Sequence, residues 1–215
     1  ISFAAATTFF AGLSQAERWA LGPMKPPRNL RSYHRRIWKS SYYTNLRTDW
    51  GASIVRVLYV GGTGEISMSC VKASVLCGHH VTVFNRGNTK QRLPAGTVHV
   101  TGDLTEPEPY APLANQYFDV VCQFLVFTPE AMARDIEFFS KRCGQYVFIS
   151  SASAYQQEET GRLITESRPL NNPHLAYSRA KADCERLLRQ APIASTIVRP
   201  SHTYDARLPS TVVDG

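Results

Sequence analysis

The sequence predicts an α/β fold, a doubly wound parallel sheet, preceded by an irregular basic N-terminal extension. Three observations predict it. From Ile54 onward, short β-branched apolar runs alternate with longer stretches of helix formers. The first run, Val55–Val60, is apolar throughout, as a strand covered on both faces must be. That run ends at once in Gly61-Gly62-Thr63-Gly64, the strand–turn–helix transition of a first crossover.

The elements follow in order. After the first strand, residues 64–76 can form a helix, and Gly78 is placed to stop it. Val81–Phe84 reads as the second strand, and Val98–Val100 as a third, ending at Gly102-Asp103. Asp119–Phe124 is a fourth strand, and residues 129–142, rich in Glu, Ala and Arg, form a helix. Tyr146–Ser150 is a fifth strand. Residues 175–189 make a helix with basic residues in its last turn, where the dipole favours them, and Thr196–Val198 is the sixth strand. Right-handed crossovers then predict the strand order 3-2-1-4-5-6.

The 215 residues, 43% hydrophobic and 19% charged, suit one domain with a real core. No apolar run approaches the roughly eighteen residues of a membrane-spanning helix. Glycine and proline contents are ordinary, which excludes collagen-like and low-complexity chains. The net charge of +7 is unevenly placed. Residues 1–53 carry eight Lys/Arg against Glu17 and Asp49, so nearly all of the excess belongs to that segment. Pro23, Pro26 and Pro27 interrupt it, and its few acids and several Arg and Ser resemble an organelle transit segment. A disordered extension is the alternative. The expected division is therefore 1–53 as extension and 54–215 as domain. The expected location is the cytoplasm, or an organelle matrix or stroma if the segment is a transit peptide.

The five cysteines are odd in number, lack any CxxC and lie mostly in apolar stretches. They read as buried free thiols of a reducing compartment, not as zinc ligands. No pair of histidines has metal-ligand spacing, so no metal site is expected. Phe124, Phe127, Phe138 and Phe139 read as core positions.

Two segments carry chemistry. In the glycine turn, Gly61 permits a tight exit from the strand. Gly64 lets backbone N–H groups approach a pyrophosphate at the positive end of the following helix. Ser67 stands where a third small residue allows close helix–sheet packing. The second strand ends Phe84-Asn85-Arg86-Gly87 without the acid that would bind an adenosine 2′-OH; Arg86 leans towards a 2′-phosphate. Asp103 could meet adenine or close a turn.

The second segment pairs hydroxyls with a helix. Ser150-Ser151-Ala152-Ser153-Ala154-Tyr155 follows a strand, and Tyr177-Ser178-Arg179-Ala180-Lys181 places Tyr177 and Lys181 on one helical face. A phenol of pKa about 10 is a poor base at neutral pH. A neighbouring ammonium is expected to bring it down, while Ser151 holds a substrate oxygen beside it.

These motifs, with Gly61-Gly62-Thr63-Gly64-Glu65-Ile66 and Arg199-Pro200-Ser201-His202-Thr203-Tyr204, resemble the NAD-dependent epimerase/dehydratase family. This is the extended, or atypical, branch of the short-chain dehydrogenases/reductases. The resemblance covers about residues 54–207, with the motifs in the family's order. It implies a Rossmann domain binding NAD or NADP, with Ser151, Tyr177 and Lys181 as catalytic residues. The cofactor would be held by Gly61, Thr63, Gly64, Glu65, Ile66, Asn85, Arg86, Asp103, Leu104, Phe124, Val126, Tyr177, Lys181, Pro200 and His202. The implied activity is that of an oxidoreductase, epimerase or dehydratase acting on a small molecule, with a nucleotide sugar as the leading substrate class. The resemblance also suggests a homodimer. Because some relatives are associated with RNA in plastids, a non-catalytic NAD(P)- or RNA-binding protein is the alternative. Family members continue past the position of Gly215 into a portion that forms most of the substrate pocket, so the chain reads as a fragment carrying the cofactor half.

Overall fold

The computed structural model describes residues 54–89, 92–156, 164–201 and 203. Six parallel strands form one sheet. They are β1 (Arg56–Val60), β2 (His80–Asn85), β3 (Val98–Thr101), β4 (Phe118–Gln123), β5 (Cys143–Ile149) and β6 (Ser195–Val198). Their order is β3-β2-β1-β4-β5-β6, as predicted. Three helices connect them: α1 (Glu65–Leu76), α2 (Pro129–Phe139) and α3 (Ala176–Gln190).

The apolar runs have a direct structural cause. Successive strand side chains point to opposite faces, and here both faces are covered. Val57 and Tyr59 of β1 pack with Val81, Val83, Cys122 and Val147 against Cys70 and Val71 of α1. Leu58 and Val60 point the other way, to a core with Val121, Phe148, Met132 and Phe139 of α2, and Cys184 and Leu188 of α3. Each fully buried side chain of this kind contributes about 1.5–3 kcal/mol. Register follows: Val57 pairs with both Val81 and Val120, and Val60 with Phe84 and Gln123.

Gly78 ends α1 as expected. It takes φ +84°, its N–H donates to Val75 O, and His79 N donates to Ser74 O, the two bonds of a Schellman cap. α2 starts at Pro129 after Thr128, whose hydroxyl accepts from Ala131 N. It stops at Phe139, three residues before the predicted end, and β5 begins at Cys143, three residues earlier than predicted. One turn explains both shifts. Ser140 takes the cap position, Arg142 N donates to Phe139 O, and Arg142 O accepts from Phe118 N, which starts the β4–β5 ladder. Two short 3₁₀ turns, Ala111–Leu113 and Ala152–Ala154, add to the predicted elements.

The described cysteines are not joined in disulfides; Cys70, Cys122, Cys143 and Cys184 are buried and Cys77 half-buried. Among the described residues no group of His, Cys, Asp and Glu could hold a metal ion, and no helix is long and apolar enough to cross a membrane. The extension 1–53 and His202 lie outside the described residues.

Candidate functional site

The site is assembled at the C-terminal ends of β1, β2, β4 and β5. Gly61 leaves β1 at φ +87°, and its N–H donates 2.9 Å to Phe84 O at the end of β2. A Cβ at Gly61 would lie 2.6 Å from Leu125 Cγ, and one at Gly62 would lie 2.8 Å from Val83. Glycine is therefore required at both, by conformation and contact at the first and by packing at the second. Gly64 has an ordinary φ of −74° and caps α1.

Ser67 does more than pack. Its hydroxyl donates 2.6 Å to Gly61 O and accepts 2.9 Å from Gly64 N. It thus ties both ends of the glycine turn to the first helical turn. Met68 N donates to Gly64 O, the first intrahelical bond. The amides of Glu65, Ile66 and Ser67 therefore lack an intrahelical acceptor, at the positive end of the helix.

Beside the turn lies a cavity of about 220 Å³ lined by Thr63, Asn85, Gly87, Thr89, Leu93 and His99. Asn85 organises its wall. Its amide nitrogen donates to Thr63 Oγ1 at 3.3 Å, and its carbonyl oxygen accepts from Gly87 N and from His99 Nε2. Among the described residues, no carboxylate lines this cavity. Arg86 is exposed next to it in sequence. Asp103 closes a turn by accepting from the N–H and hydroxyl of Thr105. Those bonds, helped by Arg86, hold its carboxyl below the usual range. Leu104 packs against the core, and its carbonyl accepts from Arg134.

The segment following β4 joins the glycine turn to α3. Phe124 N donates to Val60 O, and Leu125 lies against Gly61. The Val126 side chain is buried, while its carbonyl accepts 2.7 Å from Lys181 Nζ. Lys181 also donates 2.8 Å to Ile149 O at the end of β5, and its ammonium lies over the rings of Phe127, Phe148 and Tyr177. Only 1% of Lys181 is exposed. Burial pushes it down to about 8, against opposing pulls from Cys184 and Glu185.

A buried carboxylate holds this segment from below. Asp135 of α2 accepts from Tyr110, Tyr146 and Gln123. Gln123 in turn accepts 2.7 Å from Leu125 N. Burial raises Asp135 to about 6, against the lowering effect of its three donors. A second buried carboxylate, Glu185, accepts from Ser150 and from Nε and Nη2 of Arg199, whose Nη1 donates to Tyr155. Pro200 O accepts from Ala152 N, so the ends of β5 and β6 are fixed together.

Tyr177 stands on α3 with 46% of its surface exposed, and its ring lies 6.3 Å from that of Phe127. The expected lowering of its pKa by Lys181 is corrected by the structure. Burial raises the phenol, and the opposing hydrogen-bonding partner is Ser151. The Lys181 amine is instead committed to two backbone carbonyls. Phe127 is also corrected: it is 45% exposed and stacks over the site instead of filling the core, whereas Phe139 is buried and Phe124 and Phe138 pack at core margins.

Ser151, Tyr177 and Lys181 are thus brought together, as are Gly61, Gly64, Thr63 and Asn85. Arg86, Asp103 and Leu104 do not line the cavity. Sequence reading missed the two hydroxyl bonds of Ser67, and it missed Phe127, Ser153, Ser178 and Asp135 as parts of the site. Asp135 had a visible signal: it falls between Met132 and Phe139 on the apolar stripe of α2.

A parallel sheet with a glycine turn, helix-start amides without intrahelical acceptors and an adjoining cavity defines a dinucleotide-binding α/β domain. The chain belongs to the NAD(P)H-binding family, whose model matches residues 61–214. A putative NAD-dependent epimerase/dehydratase from Methylobacillus flagellatus has a similar structure, with TM-score 0.61 and 22% identity, covering 71% of this chain and 56% of that one. A short-chain dehydrogenase/reductase superfamily protein from Agrobacterium tumefaciens with bound NAD gives TM-score 0.57 and 24% identity, covering 70% and 50%. UDP-galactose 4-epimerase gives 0.56 and 22%, covering 67% and 55%. The chain thus spans about half the length of these structures. In sequence, 59 residues are 39% identical to 2′-dehydrokanamycin reductase of Streptomyces kanamyceticus, covering 27% of this chain and 17% of that protein.

The residues fit such a cofactor. The glycine turn brings backbone close to the helix start, three amides there lack intrahelical partners, and the cavity beside Thr63 and Asn85 is open to an adenosine.

Proposed function

We propose that the chain carries the cofactor site of an NAD(P)-dependent oxidoreductase or epimerase that uses Tyr177 as its proton donor and acceptor, with a nucleotide sugar as substrate. The observation that carries this reading is the bridge Leu125–Val126–Phe127. It touches Gly61 at one end and Lys181 and Tyr177 at the other, so the dinucleotide turn and the phenol share one site.

In this reading Gly61, Thr63, Gly64, Glu65 and Ile66 receive the pyrophosphate, and Asn85 and Arg86 flank the adenosine. Asn85-Arg86 stands at the end of β2 where a carboxylate would bind a ribose 2′-OH, which favours NADP over NAD. Bound there, the nicotinamide supplies the hydride chemistry. The protein supplies the proton: the Tyr177 phenol, protonated at neutral pH like any tyrosine of pKa about 10, gives its proton to a substrate carbonyl oxygen that Ser151 also touches. In the opposite direction the same oxygen takes the proton back. Lys181 acts by fixing Val126 and Ile149 around that phenol. The similarity to UDP-galactose 4-epimerase supports a nucleotide sugar; the local similarity to a reductase supports reduction of a ketone.

The test is oxidation of NADPH or NADH by the chain with UDP-hexoses and keto sugars. Tyr177→Phe is expected to lower kcat by about 100-fold or more with cofactor affinity unchanged. Equal kcat in the two proteins would exclude Tyr177 from proton transfer.

A further inference from the structure

In the cavity beside the glycine turn, the polar atoms of Asn85 have fixed roles. Asn85 ends β2, 22 residues after Thr63, at the place where a dinucleotide domain meets the adenosine 2′ position. Its Oδ1 lies 2.8 Å from Gly87 N and 2.9 Å from His99 Nε2. A backbone N–H can only donate, so the Asn85 atom facing Gly87 is the amide oxygen and not the nitrogen. An amide oxygen can only accept, so His99 Nε2 carries a hydrogen and donates it. The amide nitrogen of Asn85 donates 3.3 Å to Thr63 Oγ1.

A carbonyl oxygen has two lone pairs, and Gly87 and His99 take both. Asn85 then has no acceptor left for a ligand. It keeps the second N–H of its amide, next to the Thr63 hydroxyl, which accepts from Asn85 and retains its own proton. A ribose 2′-OH needs an acceptor to donate to, whereas a 2′-phosphate brings acceptor oxygens of its own. The two donors to Oδ1 differ in kind. Gly87 donates from the backbone of a turn at φ +75°, while His99 is a side chain of the neighbouring strand β3. A Cβ at Gly87 would lie 3.5 Å from His99 Cε1, so the turn and the ring are in contact.

We propose that His99 is a specificity-determining residue of the cofactor site: by donating Nε2–H to Asn85 Oδ1 it occupies the acceptor that a ribose 2′-OH would use, and leaves the amide N–H of Asn85 and the hydroxyl of Thr63 for an adenosine 2′-phosphate. The inference rests on the cavity receiving the adenosine end of NAD(P). His99 acts through Asn85, as a positioning residue. It needs no charge for this, because the neutral Nε2–H tautomer and the imidazolium both carry that hydrogen. The same bond resists rotation of the amide, since a turned amide would set its nitrogen against two donors, Gly87 N and His99 Nε2. Without His99, Gly87 alone holds the oxygen, and one lone pair opens to a 2′-OH.

The experiment is calorimetric titration of the chain with NADPH and with NADH, which needs no substrate or turnover. His99 is exposed, so its variants leave the core intact. The parent is expected to bind NADPH more tightly than NADH. His99→Leu is expected to raise the ratio of the NADPH to the NADH dissociation constant about fivefold, the effect of one hydrogen bond. His99→Gln, which can donate an N–H to the same oxygen, is expected to keep the parent ratio. In an Asn85→Ala background, His99→Leu is expected to leave the ratio unchanged, because the residue through which it acts is gone. The proposal is overturned if His99→Leu leaves the parent ratio in place, if His99→Gln shifts it as far as His99→Leu, or if His99→Leu shifts it equally in the Asn85→Ala background, which would mean direct contact with the phosphate. Each of these, with the parent still preferring NADPH, leaves the proposed cofactor site standing. A parent that binds neither nucleotide overturns that site and this inference together.

Discussion

Lys181 Nζ donates 2.7 Å to the backbone oxygen of Val126, and that bond joins the helix carrying Tyr177 to the segment resting on Gly61. The lysine thereby works as an internal strut. Its ammonium donates to two backbone carbonyls at the edge of the site.

Lys181→Met should expose the value of that strut. It leaves the Val126 and Ile149 carbonyls without their donor, at about 1–3 kcal/mol each, partly offset by no longer burying a charge. The expected net loss is about 1–3 kcal/mol, read as a lower urea midpoint at unchanged slope. A midpoint equal to that of the parent would show that the two bonds contribute nothing net.

Gly61→Ala combines two costs. The left-handed conformation costs an alanine about 1–2 kcal/mol, and its Cβ would collide with Leu125. A lower melting temperature and loss of the NADPH-induced shift are expected together. Unimpaired NADPH binding in this variant would contradict the assigned pyrophosphate turn.

Asp135 gives stability a pH dependence. Its folded pKa, about 6, lies above the unfolded value near 3.8, so the folded state holds the proton more tightly. Stability from this group is full below about pH 4 and declines as pH rises to 6, by about 3 kcal/mol in all. Asp135→Asn should flatten the stability–pH curve between pH 4 and 6, whatever its absolute offset. Parallel curves for the two proteins would refute this assignment.

Asn85→Asp places a carboxylate in the cavity wall beside Thr63 and His99. It should favour a ribose 2′-OH and repel a 2′-phosphate. The ratio of NADPH to NADH dissociation constants, by calorimetry, is expected to rise about tenfold or more. A ratio that stays put would place the adenosine elsewhere.

Much of the fold was legible because it rests on local pattern. The apolar strands needed only the rule that both sheet faces are covered, and Gly61 and Gly78 announced themselves as left-handed turns. The site was legible as motifs but not as a network. Ser150–Glu185 and Lys181–Val126 join residues 35 and 55 positions apart, and no periodicity reports such pairs. Hence Lys181 read as a tuner of Tyr177 when its amine is turned to backbone oxygens. Ser67 read as a small packing residue for a similar reason. Its size was evident in the sequence, whereas the two bonds of its hydroxyl depend on the shape of the turn.

The most direct test of a dinucleotide site joined to Tyr177 is a thermal-shift titration of the chain with NAD⁺, NADH, NADP⁺ and NADPH. A ligand at about 100 times its dissociation constant adds about 2.7 kcal/mol, which for a domain of this size raises Tm by roughly 5–10 °C. The expected result is a saturable rise with the reduced and oxidised forms, largest for the NADP pair. A cooperative melt that none of the four ligands moves would contradict the account.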